Sequence, residues 1–124
     1  MSSSNQLISL ATAQKLTTDY KAKKKKILKD EYGNKNTLPI SETFDRDVFD
    51  FILSQDGCVG LRFYFAMNEA EEVSLVIVGV NDKNEDILPD SSGDAMMRTA
   101  DSDPIGAGGE RCPTDCPPPS ALYP

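Results

Sequence analysis

The segments "CVGLRFYFAM" (residues 58–67) and "VSLVIVGVN" (residues 73–81) decide the fold of this chain. In the first segment a large apolar residue occupies every second position, which predicts a strand with one apolar face and one mixed face. The second segment is apolar on both faces except at Ser74 and Gly79, which is typical of a central strand. Only the polar stretch "NEAEE" separates them, so we expect an antiparallel hairpin.

A third strand and a helix are predicted on either side of this hairpin. After the turn "DKNE", the residues "DILP" favour a short third strand that Pro89 ends. Upstream, "SETFDRDVFDFILSQDG" (residues 41–57) has the spacing of a helix, with Ser41 or Thr43 as its cap and Gly57 at its end. Its predicted core stripe occupies positions i, i+4, i+7 and i+8 of the helix, namely Phe44, Val48, Phe51 and Ile52.

An earlier and weaker helix is predicted over "SLATAQKLTTDYKAKKKKILKDEY" (residues 9–32). Ser9 is a suitable N-cap, and Gly33-Asn34 is a suitable stop. Ala13, Leu16, Tyr20 and Ile27 would share one face.

The predicted fold class is α+β, with two helices packed on a small antiparallel meander of two or three strands. We expect residues 1–89 to form this single domain. Residues 90–124 are rich in proline and glycine, which predicts an irregular tail that docks on its own domain or on a neighbouring one.

Charge is divided unevenly along the chain, whose formal net charge is −7. Residues 1–35 hold eight lysines and three acids, a net +5, which leaves −12 on residues 36–124. Complementary fields steer association, so the basic end of one copy could meet the acidic body of another, in a head-to-tail homo-oligomer.

The run "KAKKKK" (residues 21–26) supplies most of that basic charge. Consecutive helical lysines surround the helix instead of forming one face, and few aromatic residues lie near them, so nucleic acid and membrane are both disfavoured as partners. We instead predict protein contacts, and the predicted contact residues are Lys23, Lys24, Lys25 and Lys26 of this run and Pro117, Pro118 and Pro119 of the tail.

Chemistry is restricted by the complete absence of histidine, which removes the commonest general base and metal ligand. Cys112 and Cys116 are the sharpest chemical candidates, because they could hold zinc together with Cys58 and one acid. They could also form a disulfide or a redox pair. We favour two reduced thiols, since an odd cysteine count argues against a complete disulfide framework. No cofactor is expected, and Cys58 is expected to pack in or near the core.

Two stretches, "FDFILSQDGCVGLRFYFAMNEAEEVSLVIVGVN" and "RCPTDCPPPSAL", together resemble a group of small, functionally uncharacterised bacterial proteins, mostly from Bacteroidetes. In that group a Gly-Cys pair leads into two such strands, and the chain ends in a similar Cys-Pro tail. The resemblance extends over roughly residues 7–122. It implies no activity, ligand or catalytic residue.

The sequence therefore favours a non-enzymatic interaction protein that self-associates through its basic helix, acidic body and tail. The alternative is a small metal- or redox-responsive protein that uses Cys112 and Cys116, with or without Cys58. No secretory signal is evident, and the longest apolar run is too short to span a bilayer, so a cytoplasmic location is expected.

Overall fold

The computed structural model describes residues 6–89 and 103–124 of the chain. Helices and strands follow in the order α1 (Leu10–Lys23), β1 (Ser41–Thr43), α2 (Arg46–Leu53), β2 (Gly60–Met67), β3 (Val73–Val80), β4 (Asp86–Ile87) and β5 (Glu110–Cys112), with one 3-10 turn at Asp30–Tyr32. The predicted α+β class is confirmed.

Strands β2, β3 and β4 form an antiparallel meander with β3 in the middle, as predicted. Both hairpin turns are built alike. Asn68 and Asn81 each open a turn, and the side-chain oxygen of each accepts a hydrogen bond from the backbone N–H of the glutamate four residues later, at 3.0 Å. Both turns were predicted from the sequence, but the two asparagine hydrogen bonds that fix the register of the sheet were not.

The core lies where α2 crosses one face of the sheet. Ile52 of α2 and Ile77 of β3 are almost completely buried, and Phe49 stacks edge-on against Phe63 with ring centroids 6.0 Å apart. Phe51, which was predicted in the core stripe, is instead half exposed. The prediction of Phe51 as a core residue is therefore wrong, because the short α2 contacts the sheet through Phe49 instead.

Helix α2 also begins later than predicted. Residues Ser41–Thr43 are a strand that pairs antiparallel with β5, so the expected caps Ser41 and Thr43 are wrong. Asp45 occupies the N-cap position, without a side-chain hydrogen bond to the helix. Pairing with a distant segment overrode the local helical spacing here, as tertiary contacts commonly do.

Helix α1 is peripheral and shorter than the predicted residues 9–32. Its predicted cap is confirmed, since the Ser9 hydroxyl accepts a hydrogen bond from the Thr12 N–H at 3.1 Å. No residue of α1 is buried. Without buried apolar surface to hold them, the weakly helical residues after Lys23 leave the helix.

The described part of the tail docks on its own domain. Residues 90–102 of the predicted tail lie outside the described residues. Gly106 forms a two-bond bridge with Ile77, and β5 pairs with β1, so this part of the tail is regular where an irregular segment was expected. Glycine suits position 106 because a Cβ there would lie 2.8 Å from Val48 Cγ1, so a larger residue would force a shift.

Candidate interaction surface

Strand β2 is the edge of the meander that no described residue covers. It has eight residues and pairs on one side only, with β3. Within residues 6–89 and 103–124, no other strand pairs with it. A long apolar edge of this kind is a template for another strand.

The direction of the free backbone groups follows from the bridge on β3. Ile77 directs its N–H and its C=O at Gly106, both at 2.8 Å, and therefore away from β2. Phe63, which lies opposite Ile77, is thus in a non-hydrogen-bonded pair, and its own N–H and C=O point outward. The pattern alternates along the strand, so Leu61, Phe65 and Met67 also direct their backbone groups at the open edge.

The side chains of these four residues all lie on the face that α2 partly covers. Phe63 is 43% exposed even though Phe49 packs on it, while Phe65 is 81% exposed and Met67 is 54% exposed. The helix therefore covers only one half of the hairpin. The other half presents apolar side chains beside backbone groups that no described strand pairs with.

A shallow groove of about 280 Å³ continues this apolar surface. Tyr20 of α1 forms one wall with Pro39, whose carbonyl accepts a hydrogen bond from the Tyr20 hydroxyl. Phe65 and Leu75 of the hairpin form the other wall. Most of the lining is aliphatic or aromatic, so the groove offers mainly apolar contact.

Arg111 of the tail holds the groove region together and is almost buried. Its Nε donates to the Val73 carbonyl at 2.9 Å, and one terminal nitrogen donates to the Asn36 carbonyl at 2.7 Å. The other terminal nitrogen lies 3.2 Å from a Glu72 carboxylate oxygen. One guanidinium thus joins the tail, the hairpin and the segment before β1, an arrangement that its planar fork of donors makes possible.

The opposite face of the meander carries a polar cluster. The Asp86 carboxylate accepts hydrogen bonds from the Tyr64 hydroxyl and the Arg62 guanidinium. The hydrogen bond from Tyr64, together with Arg62, lowers the pKa of Asp86 below its usual range. The same bond to Asp86 raises the pKa of Tyr64. Each polar group here has its partner within the cluster, which therefore links β2 to β4.

The cysteines are arranged differently from the favoured prediction of reduced thiols. Cys112 and Cys116 form a disulfide, with their Cα atoms 4.5 Å apart. A disulfide has no thiolate to bind zinc, so the metal reading of this pair would require its reduction. Cys58 is free and half buried, with its Sγ 3.3 Å from the Gly60 carbonyl oxygen.

The predicted contact residues are divided between internal and exposed positions. Lys24 Nζ donates to the Leu38 carbonyl at 3.0 Å, so this lysine serves the fold. Lys23, Lys25 and Lys26 are exposed, as are Pro117, Pro118 and Pro119. Near the tail's end, the Ala121 carbonyl accepts a hydrogen bond from Gln14, and Lys21 lies over the Tyr123 ring at 5.0 Å. The basic helix and the tail therefore contact each other within one chain.

Sequence reasoning found strand β2 but not the residues that now matter most, Phe65 and Arg111. Alternation gives the face of a side chain but does not say how far a helix will cover that face. The three residues of β5 are too few for any periodicity to show.

Among the described residues, no group of three or more Cys, Asp or Glu side chains is placed to hold a metal ion. In the same part of the chain, no helix has the length and apolar character needed to cross a membrane.

Comparison of the chain with protein-family models, curated proteins and solved structures finds no match to any of them. The resemblance to the bacterial group therefore stays a hypothesis.

Proposed function

We propose that this chain is a non-enzymatic protein that acts by self-association, and that the open edge of β2 is its contact surface. The observation that carries the proposal is the coincidence of two features on one strand. Four residues direct free backbone groups outward, and the side chains of Phe65 and Met67 are mostly exposed beside them. Such an edge is costly to leave open, because it promotes uncontrolled pairing.

The surface lacks the devices that protect an edge strand from pairing. Natural edges are commonly interrupted by proline, carry lysine or are very short. Strand β2 has neither lysine nor proline, and its single charge, Arg62, is bonded to Asp86 on the face away from α2. These features support an edge that is kept for a partner.

The sequence analysis placed the contacts in the lysines and the tail, and the structure supports a smaller role for them. Among the predicted contact residues, Lys24 bonds within its own chain. Lys21 and Ala121, which lie close to those residues in sequence, also contact residues of the same chain. The exposed Lys23, Lys25 and Lys26 remain available for a head-to-tail contact. The two routes differ in their dependence on salt, because screening weakens attraction between opposite charges and relieves repulsion between copies that each carry −7.

Sedimentation velocity over a range of protein and salt concentrations tests this function. We expect a concentration-dependent dimer that becomes stronger at higher salt. Phe65→Lys should abolish it, because it places a charge in the centre of the edge. The matched control is Ile27→Lys, which makes the same change at another exposed apolar residue and should leave the dimer intact. A monomer at every concentration and salt would refute the proposal.

The disulfide supports a second candidate function, a redox-responsive protein. Cys116 is exposed while Cys112 is buried beside Arg111, so a dithiol reductant could attack the Cys116 sulfur and leave two thiols in the tail. Titration with dithiothreitol, followed by thiol alkylation and mass spectrometry, gives the reduction potential. A potential within the range of cellular thiol pools would support regulation, and one far below it would support a purely structural bond.

A further inference from the structure

We infer that β2 pairs with β2 of a second copy in antiparallel orientation, with the two-fold axis at Tyr64. This inference rests on the proposed function and specifies the partner and the register. The product would be one continuous six-stranded sheet, in which each copy contributes its β4, β3 and β2 in that order from the outside inward.

The register follows from the positions of the outward backbone groups. Antiparallel pairing joins residues that direct their groups at each other, and those residues are Leu61, Phe63, Phe65 and Met67. With the axis at Tyr64, Leu61 faces Met67 of the second copy and Phe63 faces its Phe65. Every outward N–H and C=O of the strand then has a partner. Moving the axis to Phe63 or Phe65 leaves one of the four residues unpaired in each copy.

The same register also matches the side chains. Directly opposed residues of two paired strands lie on the same face, so Phe63 of one copy would lie against the exposed Phe65 of the other. This contact occurs twice because of the two-fold axis. Leu61 would lie against Met67 in the same way, and the apolar face that α2 leaves open would become continuous across the dimer.

Charge at the axis does not oppose this pairing. On the polar face, Tyr64 would lie beside Tyr64 of the second copy, and Arg62 beside its Ala66. Arg62 already has Asp86 as its partner within the chain, so no unpaired charge is brought into contact with another. The remaining repulsion comes from the net charge of −7 on each copy, which is why salt should strengthen the pairing.

Strand pairing by a copy of the same chain accounts for the surface more completely than pairing by an arbitrary extended peptide. A foreign strand would satisfy the backbone groups equally well, but its side chains would have to match Phe63 and Phe65 independently. A second β2 supplies those aromatic residues in the complementary order, because Phe63 and Phe65 stand symmetrically about Tyr64.

Cysteine cross-linking in the full-length chain tests the register. In a Cys58→Ser background, Tyr64→Cys would place two thiols opposite each other in a non-hydrogen-bonded pair. Cα atoms in such pairs are about 4.5 Å apart, within the range of a disulfide. Under mild oxidation most of this variant should become a covalent dimer on non-reducing gels.

Two further variants make the test specific. Arg62→Cys and Ala66→Cys should each give little covalent dimer alone, but their mixture should cross-link, because those positions face each other only in this register. The Cys58→Ser parent measures any exchange with the Cys112–Cys116 bond. Phe65→Pro provides an independent test, since it removes one outward N–H while leaving the bonds to β3 in place, and it should make the protein monomeric.

The possible outcomes separate the inference from the proposed function. If the parent associates and Tyr64→Cys gives no more covalent dimer than the Cys58→Ser parent, the register is overturned and self-association stands. If the parent is monomeric throughout, both are overturned. Cross-linking of Tyr64→Cys, together with that of the mixed Arg62→Cys and Ala66→Cys variants, establishes the register.

Discussion

The two edges of the β2–β3 hairpin are treated in opposite ways. Beyond β3, the edge is closed by β4, by Gly106, and by the Thr37 carbonyl, which accepts a hydrogen bond from the Val73 N–H at 2.7 Å. On the other side, β2 is open along its full length within the described residues. Segments far apart in sequence therefore pair with one edge, and no described residue pairs with the other.

The closed edge contributes to the stability of the monomer, and the open edge is the proposed contact surface. At the closed edge, Arg111 supplies donors to carbonyls that no strand reaches. That edge should be sensitive to substitution in the monomer. At the open edge, substitution should change association and leave the monomer's fold nearly unaffected, since exposed side chains contribute little to stability.

The largest effect on stability should come from Arg111→Ala. The substitution leaves the carbonyls of Val73 and Asn36 without their donors in a partly buried place, which should lower the free energy of unfolding by about 3 kcal/mol. Urea denaturation by circular dichroism measures this. Arg46→Ala is the control, because that side chain is exposed and its loss should cost less than about 0.5 kcal/mol. Equal losses would contradict the role assigned to Arg111.

Removal of the disulfide should have the next largest effect. Cys112 and Cys116 close a loop with a sequence separation of four, for which the loop-entropy relation gives about 2 kcal/mol. We expect the free energy of unfolding of the Cys112→Ser, Cys116→Ser double variant, measured by thermal denaturation, to be lower by about 2 kcal/mol. Cys58→Ser serves as the thiol control, and it should keep its sensitivity to added reductant. A double variant as stable as the parent would show that β5 holds the tail unaided.

Gly106→Ala should weaken the closed edge by about 1–2 kcal/mol, because the new methyl group would overlap Val48 Cγ1. The adjacent Ala107→Ser is the control, since Ala107 is exposed. Hydrogen exchange at the Ile77 amide gives a local measure of the same change, because this amide donates to Gly106. An unchanged exchange rate of the Ile77 amide in the Gly106→Ala variant would contradict the Ile77–Gly106 bridge.

The smallest effect concerns the polar cluster that links β2 to β4. The pKa of Asp86 is lowered in the folded state, chiefly by the hydrogen bond from Tyr64. Its contribution to stability is therefore present above the unfolded carboxyl pKa of about 4 and is lost as the pH falls through the lower folded value. Asp86→Asn should reduce the loss of unfolding free energy at low pH, and Tyr64→Phe should have most of the same effect. Denaturation measured over a pH series checks both. An acid decline that is identical in parent and variants would exclude the cluster as its source.

The sequence predicted the meander well because strand periodicity and the two turns agree with the tertiary structure. The alternating segment forms the edge strand β2, and the segment that is apolar on both faces forms the central strand β3. The predicted second helix was too long because residues 41–43 have helical spacing but pair with a strand almost seventy residues away. No local pattern encodes that partner.

The candidate surface could be predicted only in part. The order of Phe63 and Phe65 about Tyr64 is visible in the sequence, but their exposure depends on how much of the sheet a short helix covers. The emphasis on Cys112, Cys116 and the lysine run followed composition. The structure instead gives weight to Arg111, whose guanidinium bonds residues that are distant in sequence.

By itself, the sequence determined which segments become strands and helices in the middle of the chain, because a period of two or of 3.6 residues fixes the face of each side chain. It also determined the charge division and the absence of histidine chemistry. Only the tertiary structure decided which edge of the sheet is closed and that the described part of the tail seals it. Those outcomes depend on backbone hydrogen bonds between distant residues, and residues of almost any type can make such bonds.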